Sequence, residues 1–246
     1  MPGLWAVLPA AGQGRRFGVE RPKQYLRIGG RLVIDWTLER LLSVPRIQAL
    51  VLVLNERDCH WEDSEFAEDP RIHRVAGGQE RIDSVEAGLV TVQEQAGSGA
   101  WALVHDVARP CVTLDDIQRL ISEVAWSPDG GLLASPVRDT MKRAHCDGRI
   151  DQTIDRSGLW HALTPQLFPV DALVQALEMT RAAGIETTDE ASAMEHCHHR
   201  PRLVAGAATN IKLTYPEDLP LVSAILRAQR FESVQGARAS VRHPGR

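Results

Sequence analysis

Leu4-Trp5-Ala6-Val7-Leu8-Pro9-Ala10-Ala11-Gly12-Gln13-Gly14-Arg15-Arg16-Phe17 is the stretch that decides the fold. Leu4–Pro9 is an unbroken apolar run of strand length, the pattern of a strand buried on both faces. A loop of small residues follows at once, and such a loop brings bare backbone N–H groups close to a ligand. Arg15 and Arg16 put positive charge on that loop, and Lys23 in Pro22-Lys23-Gln24 adds a third cation. Backbone donors with convergent cations are what a triphosphate requires. The glycine pair by itself is equally a tight turn that holds nothing. A dinucleotide fingerprint would need glycine where Phe17 stands, and the Gly-Lys-Ser/Thr of a P-loop is missing.

Working outward, apolar runs alternate with amphipathic segments. Strands are expected at Leu4–Pro9, 49–54, Ile72–Ala76, 101–105, Gly131–Pro136 and 203–205. Helices are expected at 32–42, 81–95, 114–126, 171–183, 189–196 and 216–227, with Thr113 capping the third. This alternation gives an α/β fold, a mostly parallel twisted sheet with helices on both faces. Asp147-Gly148, between extended polar segments, signals a hairpin. That hairpin, within 137–158, has too little apolar surface to fold alone and is expected to project as an arm onto a second subunit. The remainder reads as one domain over 1–231, with a polar, basic tail at 232–246 expected to be disordered.

The chain has 246 residues, 43% hydrophobic and 24% charged, within the range of one domain with a full core. A net charge of −4 argues against bulk binding to nucleic acid or anionic membrane. No apolar run reaches membrane-spanning length, and no secretory signal is read at the N-terminus. Cys59, Cys111, Cys146 and Cys197 are too widely spaced for a disulfide framework, so reduced thiols in a cytoplasmic protein are expected. His196-Cys197-His198-His199 resembles a metal cluster, but adjacent residues do not converge on one ion.

Further groups carry chemistry. His105-Asp106-Val107-Ala108-Arg109-Pro110 follows a buried strand; Asp106 there suits Mg²⁺, or a helix cap, or a salt bridge to Arg109. In Gly77-Gly78-Gln79-Glu80-Arg81-Ile82-Asp83-Ser84 the glycines admit close approach, and Arg81 and Ser84 reach a base or sugar, or the segment is an ordinary turn. Lys212, alone in the apolar stretch Asn210–Thr214, either snorkels outward or points into the site. Thr140 and Arg156 bracket the hairpin, and Arg156 beside Trp160 also reads as packing.

These motifs, together with Pro136–Thr140, Leu159-Trp160-x-Ala162-Leu163-Thr164-Pro165-Gln166 and Thr188-Asp189-Glu190-Ala191, resemble the 2-C-methyl-D-erythritol 4-phosphate cytidylyltransferases, in order and spacing from about Leu4 to Leu226. The resemblance implies a Rossmann-like sheet of the nucleotide-diphospho-sugar transferase type. It implies transfer of CMP from CTP to methylerythritol phosphate, with Mg²⁺ on Asp106 and pyrophosphate leaving, in the non-mevalonate isoprenoid pathway. By that match Pro9, Ala10, Ala11, Gly12, Gly14 and Arg15 wrap the triphosphate, with Asp106 and Val107 beside it. Gly78, Arg81 and Ser84 read the cytidine. Arg16, Lys23, Arg156 and Lys212 are catalytic cations. Arg109, Thr140, Arg156, Thr164 and Lys212 hold the acceptor, Thr140 and Arg156 serving the neighbour's site in a homodimer. Val107 replaces an alanine of the family pattern, and Thr209 stands where an acidic residue is frequent. Such chemistry needs no covalent intermediate, since the nucleophile is already anionic and the task is to bring two anions together in line. His105 and Cys111 are then structural. Rival readings are a same-scaffold enzyme for ribitol 5-phosphate, a non-catalytic nucleotide binder, and a dinucleotide oxidoreductase.

Overall fold

The computed structural model describes residues 3–12, 21–125 and 127–241, with side chains through 231. Gly14, Arg15, Arg16 and Phe17 of the opening loop lie outside the described residues, as do Trp126 and 242–246.

β1 (Leu4–Pro9) opens the chain, and a short hairpin of β2 (Arg27–Ile28) and β3 (Arg31–Leu32) leads into α1 (Val33–Leu42). β4 (Ile47–Leu54), β5 (Ile72–Ala76), α2 (Arg81–Ala96), β6 (Trp101–Val104), α3 (Leu114–Val124) and β7 (Gly131–Pro136) follow. Then come β8 (Met141–Ala144), β9 (Ile150–Ile154), β10 (Trp160–Pro169), α4 (Val170–Ala182), α5 (Glu190–His196), β11 (Arg202–Ala205) and α6 (Asp218–Val241). The central sheet has seven strands in the order β11-β7-β10-β6-β1-β4-β5. Its pairings are parallel except at β10, which runs antiparallel to both β6 and β7.

The period-two geometry of a strand explains why the central runs are apolar throughout. Leu4, Ala6 and Leu8 of β1, with Leu50, Leu52 and Leu54 of β4, pack on one face against α1 and α3. Trp5, Val7, Val51 and Val53 point the other way, into α2, α4 and α5. α6 closes a third cluster around Trp36, Cys111 and Leu213. Thr113 caps α3 as the sequence indicates, its hydroxyl accepting the Asp116 N–H at 3.1 Å.

β10 departs from the sequence expectation, which placed no strand there. Proline usually demotes a strand, and this segment holds Pro165 and Pro169. The pairing with β7 shifts register between Ala162 and Gln166, and that irregularity accommodates Pro165. α6 also runs well past its expected end at Arg227, so most of the tail expected to be disordered is helical backbone. Arg230 stacks over the Trp36 ring at 4.2 Å and Gln229 donates to Cys111 O at 2.9 Å, contacts that extend the docked helix beyond the apolar stripe.

β8 and β9 form a two-stranded sheet of their own, joined to no other strand among the described residues. Every residue of β8 is exposed, as is most of β9. The turn residue Gly148 has φ +82°, a conformation that costs glycine little, as the Asp-Gly signal predicts. The arm therefore projects.

Gly88 of α2 faces β1 so closely that an added Cβ would lie 2.5 Å from Val7 Cγ1. Gly88→Ala is expected to destabilise the fold by about 1–3 kcal/mol, because the buried, β-branched Val7 has little room to yield. Urea unfolding checks this; an unchanged midpoint would show that α2 shifts freely on the sheet.

Candidate active site

β1, β5 and β6 end at one edge of the sheet, where strand order reverses around β1. Backbone pairing continues past their ends: the Ala10 N–H donates to Val53 O at 2.8 Å, Gly77 to Leu54 O at 2.8 Å and His105 to Val7 O at 2.9 Å. The loops so held enclose a cavity of about 510 Å³. Pro9, Ala10, Ala11 and Gly12 form one wall; Gly78, Arg81 and Ser84 form another. Asp106, Val107, Lys23 and Lys212 complete it. A second cavity of about 250 Å³ shares Arg81, Asp106 and Lys212 and adds Arg109 and Thr164.

Asp106 is the meeting point. Arg81 Nε donates to its Oδ1 at 3.0 Å, while Lys212 Nζ lies 2.8 Å and Arg109 Nε 3.5 Å from Oδ2. Burial alone would raise this carboxyl, but Arg81, Lys212 and Arg109 hold it well below the usual carboxylate range. The open alternatives at Lys212 are thereby resolved: it points inward. Thr209 is exposed and leaves that orientation intact. Val107 is buried in the core beneath the cavity, and its carbonyl accepts the Thr37 hydroxyl at 2.8 Å.

Arg81 is held from both sides. Besides Asp106 it grips Glu190 with two bonds, Nη1 to Oε1 at 2.6 Å and Nη2 to Oε2 at 3.1 Å. Burial works against its charge, yet Glu190 and Asp106 raise its pKa further. Arg81 thus lines the nucleotide-sized cavity while spending most of its donors on carboxylates. Glu190 is fully buried at the start of α5 and had no role in the sequence reading. Its signal was present in Thr188-Asp189-Glu190-Ala191: a capping Asp followed by an acid that a helix start favours. Only the folded chain shows that this acid faces inward. Gln166 of β10 sets the helix in place, accepting the Ala191 N–H at 2.9 Å and donating to Asp189 Oδ2 at 2.9 Å.

Lys23 sits on a short 3-10 turn, and its Nζ donates to Leu213 O at 2.8 Å. Its neighbour Gln24 is buried and donates to Ala10 O at 2.8 Å, fastening the Lys23 turn to the end of β1. Arg109 Nη1 donates to Asn210 O at 2.7 Å, and Asn210 Nδ2 donates to Thr164 O at 2.7 Å. Thr140 and Arg156 line neither cavity; they lie exposed on the arm, where an Arg156 Nη1 hydrogen meets Arg138 O. His105 and Cys111 are buried, and burial pushes the Cys111 thiol up to about 12. His199 pairs with Asp129 at 3.0 Å while the Cys197 sulfur faces Ala176 O at 4.0 Å, so the histidine-rich run turns toward separate partners.

Comparison with known proteins gives a consistent picture. A family model described as 2-C-methyl-D-erythritol 4-phosphate cytidylyltransferase matches residues 4–228. A protein of that name from Ectopseudomonas mendocina is 52% identical over 217 residues, 88% of this chain and 92% of its own. One from Vibrio parahaemolyticus is 51% identical over 92% of this chain and 96% of its own. The crystal structure of the Francisella tularensis protein of that name superposes with a TM-score of 0.78 at 30% identity, covering 91% of this chain and 99% of that one.

Truncating Glu190 to Ala leaves the partly buried Arg81 with Asp106 as its one remaining carboxylate and is expected to cost about 1–3 kcal/mol of stability. Glu190→Gln, which keeps one hydrogen bond, is expected to cost less. Denaturant unfolding of the two variants measures both; equal and negligible losses would show that the pair contributes nothing.

Proposed function

The chain belongs to the 2-C-methyl-D-erythritol 4-phosphate cytidylyltransferase family, and we propose how its two adjoining cavities divide that enzyme's work. The enzyme is a nucleotidyltransferase of isoprenoid precursor synthesis that joins CTP to 2-C-methyl-D-erythritol 4-phosphate. An oxygen of the acceptor phosphate attacks the α-phosphorus of CTP, the bond to the β-phosphate breaks, and pyrophosphate leaves. The larger cavity takes CTP and the smaller takes the acceptor. The single observation that carries this division is Asp106 with Lys212, which line both cavities and so mark where the two anions meet.

Each residue's task follows from its position. Backbone N–H groups at 11 and 12 are donors for the triphosphate, and Gly14, Arg15 and Arg16 are assigned to it by the family pattern. Lys23 and Arg16 offset the charge that grows on the leaving pyrophosphate. Gly78 and Ser84 border the cytidine; a Cβ on Gly78 would lie 2.2 Å from Asp83 Cβ, so glycine there lets this loop pack against the start of α2. Lys212 and Arg109 draw the acceptor phosphate toward the α-phosphorus, which lowers the cost of bringing like charges together. Asp106, an ionised carboxylate bordering the larger cavity, is the residue that would hold Mg²⁺ together with triphosphate oxygens once those oxygens draw Lys212 off its Oδ2. Mg²⁺ bound there supplies further charge neutralisation on the phosphates.

The arm supports a homodimer. Thr140 and Arg156 stand outside this chain's own cavities, and an isolated two-stranded hairpin with exposed Met141 and Ile150 gains stability only by packing elsewhere. A second subunit's acceptor site is the destination we assign them. No helix among the described residues is long and apolar enough to cross a membrane. All four cysteines are free, which supports a cytoplasmic location.

Purified protein with CTP and Mg²⁺ is expected to release pyrophosphate with methylerythritol phosphate and much less with ribitol 5-phosphate. In the same assay Lys23→Ala is expected to lose on the order of 10³-fold in kcat, and chelation to abolish turnover. A preference for ribitol phosphate would overturn the acceptor assignment. Light scattering is expected to find a dimer that deletion of 139–156 converts to an inactive monomer; an active monomer would refute the role given to the arm.

A further inference from the structure

Glu190 is fully buried beside the site, and the division of the cavities leaves it without a task. Its place is fixed by its own neighbours: Asp189 and Ala191, on either side of it, are both bonded to Gln166. Its carboxylate meets Arg81 at the far end of the guanidinium, Nη1 to Oε1 and Nη2 to Oε2. A guanidinium is a rigid planar fork, so a group that grips its end also sets where its Nε edge points. That edge gives Asp106 one bond, Nε to Oδ1 at 3.0 Å. The two oxygens of Asp106 are therefore unlike. Oδ1 is held by an arginine that is itself held. Oδ2 has Lys212 Nζ at 2.8 Å, on a side chain 39% exposed, and Arg109 Nε at 3.5 Å, beyond ordinary hydrogen-bond length. Oδ2 is the oxygen able to change partners.

We propose that Glu190 is a positioning residue for the transfer: by holding the end of Arg81 it restricts that guanidinium to Oδ1 and keeps Oδ2 of Asp106 exchangeable where the two cavities join. The proposal rests on the reading of Asp106 as the carboxylate that holds Mg²⁺ with the triphosphate. It gives Arg81 a different task from the reading of cytidine that the family pattern implies. Three bonds from Arg81 go to carboxylates, so the guanidinium braces a wall of the cavity. Without the charge on Glu190, Asp106 is the carboxylate left to Arg81. The pairing a guanidinium favours is two parallel bonds to both oxygens of one carboxylate. Arg81 then takes Oδ2 as well and competes with whatever the triphosphate brings there.

The test reads CTP binding to the full chain by calorimetry, at a series of Mg²⁺ concentrations and without acceptor, so that no turnover occurs. Glu190→Gln, close in shape and uncharged, is expected to need about tenfold more Mg²⁺ for half-maximal CTP binding. Adding Arg81→Gln removes the competing guanidinium and is expected to bring the requirement back to within about twofold of wild type. A purely structural loss would not be relieved by a second loss at the same pair. In pyrophosphate release, Glu190→Gln is expected to lower kcat/KM for CTP about tenfold at limiting Mg²⁺ and to approach wild type as Mg²⁺ is raised. An unchanged Mg²⁺ requirement in Glu190→Gln would overturn the proposal. A double variant no better than the single one would do the same, since Arg81 would then contact the nucleotide itself. Nitrogen-15 NMR of the wild-type protein needs no variant to fold: the Arg81 Nη groups are expected to stay hindered in rotation, on Glu190, when Mg²⁺ and CTP are added together. Free rotation in that complex would equally overturn it. Wild-type protein that binds CTP no better with Mg²⁺ than without would instead overturn the placement of the metal on Asp106, and the proposal with it; that failure is seen before any variant is compared.

Discussion

The site depends on one buried carboxylate. Asp106 is taken out of water and remains charged because Arg81, Lys212 and Arg109 surround it. An isolated carboxylate there would be too costly to ionise. The dependence is mutual. Lys212 and Arg109 come from different parts of the chain, and Asp106 gives both a reason to point inward. Glu190 takes up part of Arg81, so that the cluster keeps an excess of cations without concentrating it on one group. A surface made to receive two polyanions is thus stable before either arrives.

Strand direction places the wall of the smaller cavity. β10 pairs with β6 in antiparallel register, Gln166 opposite Val104. Carrying that register two residues further sets Thr164 against Asp106, and the Asp106 N–H indeed meets the Thr164 hydroxyl. The reversed strand thus begins at the edge where the parallel ones end. Gln166, two residues beyond Thr164, then anchors α5 and with it Glu190. One reversed strand in a parallel sheet supplies a site wall and positions the helix that supports the opposite one.

Much of this was legible in the sequence. The unbroken apolar runs at Leu4–Pro9 and 49–54, the cap at Thr113 and the Asp-Gly turn of the arm are local signals, and local signals survive folding. Asp106, Lys23, Arg109 and Lys212 stood out as charges next to apolar runs. β10 was not legible, because its two prolines speak against a strand and only its neighbours make the pairing worthwhile. Glu190 was not legible either. An acid at a helix start is ordinary on a surface, and nothing local shows that Arg81, far away along the chain, comes to meet it.

The bond from Lys23 Nζ to Leu213 O spans 190 positions, almost the whole length of the protein. Contacts of that separation are entropically expensive to form and are made late. A nascent chain still lacking α6 and the segment before it has its first strands and its glycine loop, but neither Lys212 nor the carbonyl that seats Lys23. One wall of the larger cavity, Pro9–Gly12, is translated first and the charge at Lys212 that faces it nearly last. The ribosome thus releases a chain whose two ends must find each other before the site exists. Shortening past Leu213 therefore removes the carbonyl that seats Lys23, and past Lys212 a partner of Asp106, as well as a supporting helix.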